Sequence, residues 1–189
     1  MSPRLDKLPQ IDTPRLLLRE ANSDDAQALF DIYSREDVVR YWDHPAWTQV
    51  SQAEDLIKSA LDGFSAYEMF AWCVTLRESG VVIGTCCLFD YSQQHKTAEI
   101  GYAFHPDHWG RGYALELMPP LLAFGFDRLD LNRIHAAADP RNLASLKILL
   151  NHGFREEGLL RENWIYRDEK PSDTAILGLL KHEWKTSNA

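Results

Sequence analysis

The chain, 189 residues long, lacks any apolar stretch that could cross a bilayer: runs such as "AILGLL" from Ala175 fall far short of the roughly 20 residues a helical span needs. Its opening, "MSPRLDKLPQID", has no apolar core of the signal-peptide kind, so a cytoplasmic protein with no membrane partner is expected. Cysteines are few. Cys73, Cys86 and Cys87 form neither an even set nor a CxxC pair, and in apolar, strand-like text they read as reduced core thiols. A basic surplus is also missing: the net charge of -8 argues against nucleic acid, which asks for a basic stripe, and suits a cationic substrate.

What is present is globular. Hydrophobic residues at 45% and charged residues at 25% exclude disorder, and the length suits one domain over residues 12–184 behind a flexible segment, 1–11. "RLLLRE" from Arg15 reads as a strand, followed by a helix capped by Ser23 or Asp24. "SQAEDLIKSALDGF" reads as a second helix with a Ser51–Glu54 capping box. Strands from Phe70, Val81 and Lys96 predict an antiparallel meander, and "RIHAAAD", "NLASLKILLNH", "FREEGLLRENWIYR" and "DTAILGLLKHEW" predict strand, helix and two strands. The economical packing is α/β (α+β): one mixed, mostly antiparallel sheet of about seven strands with helices on both faces.

The stretch "HPDHWGRGYALE" places bare backbone at Gly110, Gly112 and Ala114 just where a helix begins. A helix N-terminus exposes unpaired N–H groups and partial positive charge, so small residues there suit a phosphate. A plain turn would use the same glycines. No GK[ST] follows, which excludes a Walker loop, and Leu115 stands where a dinucleotide fingerprint needs its third small residue. Pro119 and Pro120, two turns in, predict a kink or break near Met118. "HPDH" reads as a turn, and no metal is expected at His105 and His108.

Trp109-Gly110-Arg111-Gly112-Tyr113-Ala114 resembles the phosphate motif of the GNAT superfamily of acetyl-CoA-dependent N-acetyltransferases, with tryptophan in its first position. "WGRGYA", "TPRLLLRE", "AEIGY", "NLAS" with its following "GF", and "EW" together resemble the ribosomal-protein N-terminal (Rim-type) branch, over about residues 12 to 184. The resemblance implies a fourth strand, Ala98 to Phe104, splayed from the fifth, with pantetheine in the gap. Backbone groups near Tyr102 to Phe104 would pair with pantetheine, and amides of Gly110 to Ala114, with Trp109 and Arg111 in the motif, would hold the pyrophosphate. No cofactor other than acetyl-CoA, the acyl donor, is implied.

Acetyl transfer needs a base for the ammonium and an acid for the departing thiolate. The resemblance assigns these roles to Glu99, acting through water, and to Ser145, with Asn142 touching pantetheine. Tyr102 and Tyr166 compete with Ser145 as acids. A solvated strand carboxylate at Glu99 and an ordinary N-cap at Asn142 are the plainer readings. Trp42, Asp43 and Trp164 flank the expected acceptor cleft. The acceptor is a primary amine, either a protein N-terminal α-amine or a small molecule such as an amino acid, polyamine or antibiotic. A silent acyl-CoA-binding module would lack turnover, which the pairing of Glu99 with Ser145 opposes. Monomer and homodimer stay open.

Overall fold

Ile11–Asp12 (β1) and Leu16–Arg19 (β2) pair around a turn closed by Thr13, whose amide donates to the Leu16 carbonyl at 2.9 Å. In this computed structural model, which describes residues 4–42, 44–165 and 170–187, β2 leads antiparallel into Phe70–Leu76 (β3), Val82–Ser92 (β4) and Thr97–Phe104 (β5). Arg133–Ala138 (β6) joins β5 in parallel, and the hairpin of Arg155–Ile165 (β7) and Pro171–Leu180 (β8) pairs with β6 through β8. The single sheet runs β1-β2-β3-β4-β5-β6-β8-β7. Its eighth strand, beyond the seven expected, is the two-residue β1, which shifts the count so that the family's fourth strand is β5 here.

Alternation along each strand divides the apolar side chains between two cores. On one face Ala26–Tyr33 (α1) and Ser51–Ala66 (α2) bury Leu29, Ile32, Ala53 and Ile57 against Cys73 and Ala103. On the other, Tyr113–Ala123 (α3) and Leu143–Asn151 (α4) bury Leu117, Met118, Leu121 and Leu149 against Trp72, Leu88, Ile100 and Phe104. The sequence draws the domain boundary at residue 12. Ahead of it, Leu8 is buried and the Pro9 carbonyl accepts the Trp72 indole N–H at 2.8 Å.

Local details differ from expectation for identifiable reasons. The first cap is Asn22, whose side chain accepts from the Asp24 amide at 2.8 Å, because Asp25 is drawn into a two-point ion pair with Arg19 and closes the capping box one residue before Ser23. Ser51 and Glu54 form no box: Val50 is already helical, so Ser51 sits inside the first turn, and Gln52 accepts the Thr48 and Gln49 amides instead. No break falls at Met118. α3 runs through Pro119 and Pro120 to Ala123 and then widens into a π turn, Phe124–Arg128. Each interior proline costs about 3 kcal/mol. Leu117, Met118, Leu121 and Leu122 are all fully buried, and burying each stabilises by about 1.5–3 kcal/mol, enough to hold the helix on the sheet. Lys181–Ser187, expected as strand text, forms α5, begun by the Glu183 carboxylate accepting the Leu180 amide.

Candidate active site

The sheet opens at one place. β5 and β6 pair only through Thr97–Arg133, Ala98–Ile134 and Glu99–His135, after which both strands continue unpaired with each other. The His105 amide donates to Ile83, which fixes the hydrogen-bond phase of β4 and β5: the backbone groups of Ile100, Tyr102 and Phe104 point away from β4, into the gap. A pantetheine chain, with its two amides, fits such a row. One acceptor in it is shared, because the Trp109 indole N–H donates to the Phe104 carbonyl at 2.7 Å and ties the glycine loop to the strand end.

A cavity of about 560 Å³ passes through the gap and brings together six of the residues singled out by sequence: Trp42, Glu99, Tyr102, Asn142, Ser145 and Trp164. Glu99 is on the α1–α2 side, where its Oε1 accepts the Ala137 amide at 3.3 Å. Tyr102, one residue out of phase, faces α4, where its phenol lies 2.9 Å from the Ser145 hydroxyl. Burial pushes the Tyr102 phenol up to about 12, the Ser145 hydrogen bond opposing it, so the phenol is protonated at neutral pH. Asn142 caps α4 by accepting the Ser145 amide at 3.2 Å, the plainer of its two expected roles, and so fixes where Ser145 stands. Trp42 packs edge-on to Tyr33 on the α1 side, and Trp164 enters from β7. Asp43 and Tyr166 lie outside the described residues.

The glycine loop is a separate wall. Gly110 and Gly112 have φ of +71° and +78°, the left-handed region that glycine enters without strain, and Gly112 is the N-cap of α3. No atom lies within 4 Å of a Cβ built on Gly110, so an anion can approach the backbone there. Tyr113 and Ala114 begin the helix, where amides have no intrahelical partner.

Sequence reasoning missed what steadies this loop. The Arg15 guanidinium donates to the Arg111 carbonyl at 2.9 Å, pairs with Glu116 at 2.5 Å and lies over the Tyr113 ring at 4.6 Å, while Thr13 Oγ1 donates to Glu116 at 2.6 Å. Nothing in "TPR" announces a partner a hundred residues away. His135, beside Glu99, was missed as well; an alternating "RIHAAA" strand gives it no distinguishing signal. His108 Nδ1, just before the loop, is buried with no hydrogen-bond partner among the described residues, and burial together with the nearby Arg111 and His105 holds its ring below the usual imidazole value. A larger hollow of about 850 Å³, lined by Tyr67, Tyr91 and Lys96, sits at the far end of β5 and shares none of these groups.

A sheet opened at one parallel strand pair, with a glycine-capped helix on one side and a carboxylate and two hydroxyls around the opening, defines a group-transfer fold. The model of the acetyltransferase (GNAT) domain family matches residues 15–155, and the chain belongs to that family. It is 37% identical to an uncharacterized N-acetyltransferase, p20, of Bacillus licheniformis, over 91% of this chain and 96% of that one. Its fold is that of a GNAT-family acetyltransferase from Bacillus anthracis, with a TM-score of 0.81, 25% identity, and 92% and 99% of the two chains covered. It is likewise that of Mycobacterium smegmatis RimJ, solved with CoA-disulfide, with a TM-score of 0.81 at 20% identity over 97% and 95% of the chains. The protein is an N-acetyltransferase of the GNAT type. Among the described residues no helix is long and apolar enough to cross a membrane.

Proposed function

We propose that the enzyme moves the acetyl group of acetyl-CoA to a primary amine by direct attack in a ternary complex. The observation that carries this reading is the opening past Glu99 and His135, with a carboxylate on one face of the sheet and a hydroxyl pair on the other, both reaching one cavity. The amides of Gly110 to Ala114 receive the pyrophosphate, with Trp109 and Arg111 shaping the loop, and backbone groups of Tyr102 and Phe104 align the pantetheine beside Asn142. Glu99 takes the proton from the acceptor ammonium through water. On the opposite face Ser145 protonates the departing thiolate and takes a proton from Tyr102, and the second N–H proton that the amine loses as the amide forms returns to this hydroxyl pair. Proton transfers of this kind typically contribute about 10²- to 10⁴-fold each.

The acceptor approaches from the α1–α2 side, between Trp42 and Trp164. Asp90, Glu99 and Asp173 line the same cavity, which supports a cationic acceptor. We infer the α-amine of a protein N-terminus, since Trp164 lines the cavity while itself exposed, which leaves room there for an extended peptide. The same carboxylates favour a small polyamine as the second reading. Mass-spectrometric detection of acetyl transfer to peptides with free Ala, Ser or Thr N-termini, amino acids, polyamines and aminoglycosides separates the two. Product on peptides supports the N-terminal acceptor, product on a small amine replaces it, and no binding of acetyl-CoA overturns the whole reading.

A further inference from the structure

We propose that His135 is the proton outlet for Glu99; the proposal rests on the reading of Glu99 as base. Converting an ammonium and a thioester into an amide and a thiol releases one proton to bulk water per turnover. With both substrates in place, the cavity side of Glu99 is covered, so that proton needs another way out. Glu99 and His135 are the last register pair before the sheet opens, and as in-register neighbours on parallel strands their side chains share a face. The His135 Nε2 lies 3.5 Å from Glu99 Oε2, while Oε1 is held at the gap by the Ala137 amide.

Exposure gives the pair a direction. Glu99 lines the cavity and is 19% exposed, whereas His135 stands behind it, outside the cavity lining, and is 29% exposed. Two other charged groups near His135, Glu157 and Arg133, are engaged with each other. Glu157 at the β7 bulge is close enough to feel the imidazole charge, but Arg133, two residues before His135 on β6, grips both its oxygens at 2.7 and 2.5 Å. Gly178, the β8 partner of His135, contributes no side chain. The proton therefore passes from the ammonium through water to the Glu99 carboxylate, then to His135 at Nε2, and the ring gives up a proton to bulk water. Each transfer forms one N–H or O–H bond as it breaks another, with no co-reactant besides water.

The test uses the full-length enzyme with acetyl-CoA and whichever amine of the panel reacts, in buffers free of imidazole. His135→Ala is expected to lower kcat about tenfold, below the range of a direct acid or base, with KM for acetyl-CoA unchanged. Added imidazole should restore the rate. His135→Gln, which fills the space, should show the loss without the rescue and a displaced pH profile of kcat. Wild-type kcat and pH profile in both variants overturn the outlet, as does a loss that imidazole leaves untouched. Glu99→Gln separates the two ideas: if it keeps the wild-type rate, the base reading falls and the outlet with it. If it loses activity while the His135 variants do not, only the outlet falls.

Discussion

The Tyr102 phenol and the Ser145 hydroxyl lie 2.9 Å apart, joining a strand of the opened sheet to the first turn of α4 across 43 residues of chain. Sequence treats these two residues as rival acids, whereas the structure makes them one hydrogen-bonded unit. Ser145→Ala is expected to lower kcat by about 10² or more, and Tyr102→Phe by less, because the phenol acts through the serine. Adding Tyr102→Phe to Ser145→Ala should cost little further, since members of one network are not additive. Steady-state kinetics of the three variants at saturating acetyl-CoA decide this. A full, independent loss in the double variant would mean that the two hydroxyls work separately.

The tie between Arg15 and Glu116 predicts a binding defect. Glu116 accepts from Thr13, the Arg15 amide and the Arg15 guanidinium, so Glu116→Leu frees the β1–β2 turn from the helix that bears the glycine loop. Arg15 is half exposed, which discounts the ion pair itself. KM for acetyl-CoA should rise about tenfold, the size expected for losing a hydrogen bond to a charged group, with kcat little changed. Isothermal titration with CoA provides the check, and unchanged affinity would show that the loop holds its shape alone.

His108 predicts a loss of stability on the acid side. Burial, then Arg111 and His105, hold its folded-state value below the ordinary 6.5, so the unfolded chain binds its proton more readily. The contribution is fully present above pH 6.5 and is lost as the pH falls through that value toward the lower folded one. Melting temperature followed downward from neutral pH should fall less steeply in His108→Gln than in the parent. Parallel curves would show that His108 does not titrate in this window.

Arg19 and Asp25 predict a structural collapse rather than a catalytic defect. Asp25 is almost fully buried and accepts two bonds from Arg19 at 2.7 Å and the Asn22 amide at 2.8 Å. Burial by itself would raise its carboxyl, but those bonds hold it below the usual range. Asp25→Ala leaves the Arg19 charge partly buried without its partner and should cost about 3–5 kcal/mol in urea unfolding. Because the folded-state value is depressed, this stabilisation is present above the ordinary carboxylate range and disappears as acid protonates the group. A change under 1 kcal/mol would mean that Arg19 finds water instead.

Much of the site was legible because it is local. The glycines must adopt positive φ to cap α3, Asn142 stands three residues before the serine whose amide it accepts, and Glu99 sits in a short alternating strand. These features need only neighbours in sequence. The caps at Ser51 and near Ser23 were misread because Val50 was already helical and Arg19 claimed Asp25, and neither fact is visible in a four-residue window. The prolines of α3 do not break it, because propensity says nothing of four fully buried side chains on the same helix.

By itself, the sequence determined most of the order and period of the elements, the bare backbone at the start of α3, and the residue types able to move a proton. The resemblance implied a gap between β5 and β6, but tertiary structure alone decided that it begins past Glu99 and His135, since that depends on the strands keeping three register pairs and losing the rest. It decided which hydroxyl meets which, and that Arg15 braces a loop formed by residues far along the chain. It also put His135 behind Glu99. Long-range neighbours like these are set by strand register, and a shift of one residue would send each side chain to the other face.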